Sequence, residues 1–250
     1  MLDKLTLRDR AYSIREQYGK DTESPVDIFA LVHNIEKLTI VMYPLGEKIS
    51  GACLSNGESS VIAINSAMSR GRQRFSLAHE LYHLFFDNDM KSIICSTQIG
   101  EKLDIEKEAD QFASYFLVPP GSLYQKIRRI QQDHKILTIQ DVVHLEQYYG
   151  VSRKAMLYRL KDEKIITDEQ AKEMETNVSA VATTLGYNTD LYRPLPEKDQ
   201  MKTLGYYITI AEKLLDEDKI SNGKYEEWLL DGFRDDIVYG EEPEGGELID

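Results

Sequence analysis

The sequence has few cysteines and no long apolar run. Its two cysteines, Cys53 and Cys95, lie far apart and outside any Cys-x-x-Cys or Cys/His spacing. This argues against a disulfide framework or a thiolate zinc site and favours two buried, idle thiols. Residues 1–10 contain no apolar signal-peptide core, and no stretch approaches the roughly 18 apolar residues of a membrane span. We therefore expect a cytoplasmic protein with no membrane partner.

An excess of positive charge is also missing. The chain carries 43 acidic against 30 basic side chains, a formal net charge of −13. Strong nonspecific binding to nucleic acid is disfavoured, because neutralising phosphates needs a surplus of lysine and arginine on one face. The 250 residues are 42% hydrophobic, which is enough to bury one sizeable core. The composition thus indicates a globular protein and leaves its partners open.

The first half of the chain combines helices with a small sheet. Apolar residues recur at helical spacing in residues 5–18, whereas residues 38–43 and 60–65 are rich in β-branched residues. Gly51 and the turn at Ser55-Asn56-Gly57 lie between these two runs and predict antiparallel pairing, with a third strand at 49–54. Two further helices are predicted at 73–86 and 104–118, the second ending before Pro119-Pro120.

The second half is predicted to be helical. Residues 138–149 and 152–161 read as two helices around a break at Gly150-Val151, a helix-turn-helix-like arrangement, and residues 201–215 and 225–233 form two amphipathic helices. The fold class is therefore α+β. We expect a domain at 1–121, a helix-turn-helix-like segment at 122–165, and a helical C-terminal region at 166–250 that ends in an acidic mobile tail.

The segment His79-Glu80-Leu81-Tyr82-His83 carries the clearest chemical pattern. Histidines four residues apart project from one face of a helix, near enough to bind one zinc ion. Glu80 follows the first histidine and can act as the base that takes a proton from water, as in metal-dependent amide hydrolysis. The alternative is that His79 and His83 are core histidines satisfied by hydrogen bonds.

A catalytic zinc site needs a third protein ligand, for which the 104–118 helix offers candidates. Glu106 and Asp110 are four residues apart on one face, so that Glu106 can bind zinc while Asp110 holds a ligand imidazole. Glu108 remains an alternative ligand. The group that stabilises the oxyanion is not assigned. Tyr115 near the end of this helix, and Tyr124 and His134 after it, are candidates, but we favour a packing role for each.

The order RFSLAHELYH and then EKEADQFASYFLVPP resembles the ImmA/IrrE family of gluzincin-type zinc metallo-endopeptidases, and the resemblance extends over residues 26–161. It implies zinc on His79, His83 and Glu106, catalysis by Glu80, and orientation of a ligand by Asp110. Members of this family act on helix-turn-helix repressors in mobile-element or stress regulation, which implies a protein substrate of that kind.

A second class of function, a regulator that does not cleave protein, is an alternative to the peptidase. The protein could be a metal-containing regulator, or an antirepressor that binds a repressor without cutting it. Residues 152–161 then supply a recognition helix with Arg153, Lys154, Tyr158, Arg159 and Lys161. We favour packing or protein recognition over DNA binding for this helix, because the chain is acidic.

Overall fold

The computed structural model describes residues 2–87, 92–96, 104–133 and 136–240. His134 and the acidic end at 241–250 lie outside these ranges. Within them the strands are β1 (Leu38–Tyr43), β2 (Ile49–Ser55), β3 (Ser60–Asn65), β4 (Ser92–Ser96) and β5 (Lys202–Gly205). The α-helices are α1 (Lys4–Gln17), α2 (Ile28–Val32), α3 (Arg70–Phe86), α4 (Asp104–Leu117), α5 (Pro120–Asp133), α6 (Ile139–Tyr149), α7 (Arg153–Asp162), α8 (Asp168–Glu173), α9 (Val178–Thr184), α10 (Tyr206–Asp216), α11 (Asn222–Asp231) and α12 (Asp235–Tyr239).

The five strands form one mixed sheet in the order β4-β2-β3-β1-β5. The α+β class and the third strand at β2 are confirmed. The expected antiparallel pairing of residues 38–43 with 60–65 is wrong, because β1 and β3 pair in parallel, from Leu38 with Ser60 to Tyr43 with Asn65. The reason is β2, which forms an antiparallel hairpin with β3 and thereby returns the chain to run alongside β1.

The C-terminal region contributes a strand to this sheet. Residues 201–215 were expected to form one helix, but residues 202–205 pair antiparallel with β1, and α10 begins only at Tyr206. Gly205 joins the two elements at φ +82°, a backbone conformation that favours glycine. Arg234 supports the strand by donating to the carbonyl of Thr203 over 3.2 Å. The free edge of β1, rather than local helical periodicity, decides the structure here.

Helices α3 and α4 pack against each other, and both contribute buried apolar residues to the core. The apolar residues on α3 that point inward, such as Leu77 and Leu81, are fully buried, and so are Phe112 and Phe116 on α4. Tyr82 of α3 lies against Phe112, with ring centroids 5.5 Å apart. The two helices that carry the chemical pattern are therefore fixed side by side.

Helices α6 and α7 follow each other with a break at Gly150-Val151. Thr138 and Asp141 make a capping box at the start of α6, and Gly150 ends it in the left-handed conformation at φ +66°. The sequence does not indicate α5, because a Pro119-Pro120 pair is typical of the end of a helix. Pro120 instead occupies the first position of α5, where a missing N–H costs no hydrogen bond.

The close approach at Gly205 gives a stability prediction. A Cβ atom at this position would lie 2.5 Å from the carbonyl oxygen of Leu38, in addition to the positive φ. We expect Gly205→Ala to lower the free energy of unfolding by about 1–3 kcal/mol, measured by urea denaturation. Gly223→Ala is the matched control, because a Cβ atom there meets open space in α11. Equal stability of the two variants would contradict the account of how β5 joins the sheet.

Candidate metal centre

The helix α3 brings His79 and His83 together on its buried face. Because one turn of helix separates them, their Nε2 atoms lie 3.3 Å apart. The exposed fractions of the two residues are only 3% and 0%. Two imidazoles held this closely in the core need a partner that satisfies both nitrogens at once.

That partner comes from the first turn of α4. Glu106 Oε1 lies 3.2 Å from Nε2 of His83, and Oε2 lies 3.6 Å from Nε2 of His79. The structure thus brings together the three residues expected to bind zinc. The spacing of four residues on α3 fixes the positions of the two histidines relative to each other. The packing of α4 on α3 fixes the position of the Glu106 carboxylate.

The outer nitrogens of both imidazoles also meet carboxylates. Asp110, one turn after Glu106, places Oδ1 2.9 Å from Nδ1 of His79, the contact expected for it. Asp87 lies 3.4 Å from Nδ1 of His83 and was not expected. Its position four residues after His83 in the sequence is the signal that could have found it. Contacts of this kind orient ligand imidazoles and fix which ring nitrogen faces the metal.

Glu108, the alternative third ligand, lies on another face of α4. Its Oε2 accepts a hydrogen bond of 2.7 Å from the hydroxyl of Tyr82, and its Oε1 accepts one from the backbone N–H of Leu2. It is absent from the cluster of potential ligands that the described residues form. The geometry therefore favours Glu106 over Glu108.

Glu80 lies beside this cluster and is fully buried. Neither of its carboxylate oxygens accepts a hydrogen bond from a nitrogen or oxygen donor among the described residues, and the thiol of Cys95 is a weak donor near it. Gly51 of β2 makes room for it, since a Cβ atom on Gly51 would come within 2.7 Å of Oε1. Burial raises the pKa of Glu80, against the opposing effect of His79. A buried carboxylate without a partner is costly, which indicates that a ligand or reacting group belongs next to it.

Protons and charges at the cluster are strongly coupled. Burial opposes the charged form of His79, but hydrogen bonds to Asp110 and Glu106 outweigh it and raise its pKa to about 9. Burial also disfavours the carboxylate of Glu106, yet the two histidines hold its pKa well below the usual range. Without a metal, a proton on His79 thus balances the buried acids. A cation that binds here takes over that role and releases the proton.

The spacing of the donor atoms fits a tetrahedral ion. Zinc binds nitrogen at about 2.0–2.1 Å and sulfur at about 2.3 Å, so that its ligand atoms stand about 3.3–3.6 Å apart. The measured separations of 3.2, 3.3 and 3.6 Å among His79, His83 and Glu106 agree with this. Together with the unpartnered Glu80 they support a metal site over a pair of structural core histidines.

The other expectations about site residues have mixed outcomes. Both cysteines are buried, as expected, but Cys95 joins the candidate ligand cluster and is not remote from it. Tyr115 packs under the guanidinium of Arg159, at 4.5 Å from the ring centroid, and Tyr124 donates a hydrogen bond to Glu163. These contacts lie toward α7, which supports packing roles. His134 lies outside the described residues.

The fold and the site together define a class: an α+β domain in which His79, His83, Cys95 and Glu106 form a candidate metal-binding cluster. A family model described as the IrrE N-terminal-like domain (Peptidase_M78) matches residues 37–161. The chain belongs to this family. The matched range contains β1 to β4, helices α3 to α6 and all of α7 except its last residue.

Two curated relatives are similar to the chain, and both are named radiation response metalloprotease IrrE. The protein from Deinococcus deserti is 27% identical over 194 residues, covering 72% of this chain and 66% of the relative. That from Deinococcus radiodurans is 31% identical over 165 residues, covering 64% and 46%. The match therefore spans about half to two thirds of the relatives' length. Among the described residues, no helix combines the length and apolar character that crossing a membrane requires.

The two glutamates of α4 provide a matched test of the ligand set. We expect Glu106→Gln to weaken zinc affinity at least tenfold, because the carboxylate that faces both Nε2 atoms is lost. Glu108→Gln should keep the wild-type affinity, since Glu108 contacts Tyr82 and Leu2 instead. Competition with a chromophoric zinc chelator measures both constants. A reversed order of the two variants would contradict the assignment of Glu106.

Proposed function

We propose that the protein is a zinc-dependent endopeptidase, with His79, His83 and Glu106 as metal ligands and Glu80 as the catalytic base. The observation that carries this proposal is the carboxylate of Glu80, which is fully buried beside the ligand cluster and accepts no hydrogen bond from a nitrogen or oxygen donor among the described residues. A structural metal site needs no such group. A hydrolytic site does, because a proton must leave the attacking water.

In the proposed hydrolysis, Glu80 transfers protons, and Asp110 and Asp87 orient the metal-binding histidines. A bound zinc ion supplies Lewis acidity, which polarises the scissile carbonyl and lowers the pKa of water. Glu80 accepts the proton of the attacking water and later gives it to the leaving amine. Its raised pKa suits this exchange, because a base works best when its pKa approaches the working pH. Asp110 and Asp87 orient the imidazoles through their Nδ1 atoms.

Zinc is the metal that suits this donor set best. Two imidazole nitrogens and one carboxylate are the ligand combination of many hydrolytic zinc sites. Magnesium and calcium prefer oxygen ligands, of which the cluster offers only the carboxylate. The membership of a metallopeptidase family supports the same choice.

For the substrate, we propose a cytoplasmic protein, and specifically a helix-turn-helix repressor in mobile-element or stress regulation. The support is the family resemblance, together with the relatives' name, which refers to a radiation response. The net charge of −13 complements the basic face that a DNA-binding repressor carries.

The structure weighs against reading α7 as a DNA-recognition helix. Arg153 and Arg159 are buried, with exposed fractions of 3% and 0%. Arg153 forms an ion pair with Glu146 and donates to the carbonyl of Met174, and Arg159 forms an ion pair with Glu163. Lys154 and Lys161 alone remain exposed among the basic residues proposed for DNA contact. We therefore propose that this helix pair serves packing or protein recognition.

We also propose that different segments of the chain have different functions. Residues 1–121 carry the metal chemistry, and residues 122–165 and 166–250 support or recognise the substrate. The pairing of β5 with β1 means that residues 202–205 complete the sheet, so that removing the C-terminal region exposes the edge of β1.

Glu80→Gln separates catalysis from metal binding. We expect the variant to retain one zinc ion per chain but to lose at least about 100-fold in cleavage rate, because general base catalysis contributes factors of that size. Cells expressing wild type or Glu80→Gln are compared by mass spectrometry of newly formed protein N-termini. His83→Ala serves as the metal-binding control and should lose both properties. Identical N-termini in cells with metal-loaded wild type and with Glu80→Gln would overturn the peptidase proposal.

Gly51→Ala tests how closely Glu80 must be positioned. The added methyl group meets Oε1 of Glu80 at 2.7 Å, so that the carboxylate must shift. Because a displacement of about 1 Å can cost on the order of 100-fold in rate, we expect a loss of tenfold or more in cleavage with zinc content unchanged. The readout is the cleavage rate of the substrate identified from its N-termini. Full activity would show that Glu80 does not act from the position described.

A further inference from the structure

We infer that Cys95 is a fourth protein ligand to the metal, so that its thiolate closes the coordination sphere in the conformation described. This inference rests on the proposed metal site and names a ligand that the sequence pattern does not contain. Cys95 is fully buried, and its sulfur lies within 4.8 Å of the ligand atoms of His79, His83 and Glu106.

The strand pairing explains how Cys95 reaches the site. Cys95 lies opposite Gly51 in the pairing of β4 with β2, and directly opposed residues share one face of a sheet. That face looks toward Glu80, because a Cβ atom on Gly51 would contact the Glu80 carboxylate. Ser50 adds a hydrogen bond of 3.3 Å from its hydroxyl to the carbonyl of Cys95. The thiol is therefore directed at the metal helices by the register of β4.

One distance from the sulfur is close to that expected for a shared ion, whereas the four ligand atoms as a group lie within 4.8 Å of one another and must draw slightly closer on binding. Sγ of Cys95 lies 3.8 Å from Oε1 of Glu106, close to the separation of about 3.6 Å expected for sulfur and oxygen on tetrahedral zinc. Zinc accepts thiolate readily, with the loss of the S–H proton to solvent and no change in the oxidation state of sulfur. Two nitrogens, one oxygen and one sulfur then complete four-coordination.

Four protein ligands change what the site can do. Catalytic zinc sites keep one position open for water or substrate, whereas closed sites do not. With Cys95 bound, cleavage requires that the sulfur leave the metal. Among the described strands, β4 lies at the edge of the sheet and pairs only with β2, with an irregular register between Ile49 and Gly51, so a movement of Cys95 would break few strand contacts.

Cobalt substitution tests this ligand, since a thiolate bound to Co²⁺ gives an intense near-ultraviolet charge-transfer band. Metal-free protein is loaded with one equivalent of Co²⁺. We expect the band in wild type and in Cys53→Ser, and its loss in Cys95→Ser, which still binds Co²⁺ at least tenfold more weakly. Cys53 is the matched control because it is equally buried on β2 but lies outside the ligand cluster.

The outcomes separate the inference from the proposed function. Stoichiometric Co²⁺ without the band in wild type, or a band that survives Cys95→Ser, would overturn the role of Cys95 alone. Wild type that binds no Co²⁺, or His83→Ala that binds it equally well, would overturn the metal site itself. Should Cys95→Ser not fold, X-ray absorption of zinc-loaded wild type decides: one sulfur at about 2.3 Å supports the inference, and a shell of nitrogen and oxygen alone contradicts it.

Discussion

The structure depends on the burial of ionisable side chains between α3 and α4. His79, His83, Glu80 and Asp110 are all at most 3% exposed, in a region otherwise packed with leucine and phenylalanine. Buried charges are tolerated only when they are paired or bound to an ion. His79 and Glu106 compensate each other in part, but Glu80 accepts no hydrogen bond from a nitrogen or oxygen donor among the described residues. A divalent cation would offset this excess of buried negative charge, so the proposed metal site and the packing of α3 on α4 would stabilise each other.

The parts of the site that could be predicted from sequence are those set by a single helix. Histidines four residues apart must share a face, and the same spacing links Glu106 to Asp110. The same periodicity favours Glu106 over Glu108 without excluding Glu108, whose contacts with Tyr82 and Leu2 are visible only in the structure. Residue spacing does not show that the histidine face of α3 contacts the Glu106 face of α4. The family resemblance predicts this contact, and the packing of α4 on α3 agrees with it.

The features that were missed arise from contacts between distant parts of the chain. The parallel pairing of β1 with β3 and the addition of β5 depend on which sheet edge remains free. Cys95 carries no motif, and only the register of β4 brings it opposite Gly51. Arg153 and Arg159 look like surface residues of a recognition helix, yet each finds a buried carboxylate or carbonyl partner. Local patterns cannot reveal such partners.

The central claim is that one zinc ion is held by His79, His83 and Glu106. Anomalous diffraction from crystals of the zinc-loaded protein, measured on both sides of the zinc absorption edge, tests it most directly. The account predicts a single strong peak between α3 and α4, about 2.0–2.1 Å from the Nε2 atoms of both histidines. A fully loaded crystal whose zinc peak lies elsewhere, with the two imidazoles bonded only to protein groups, would contradict it.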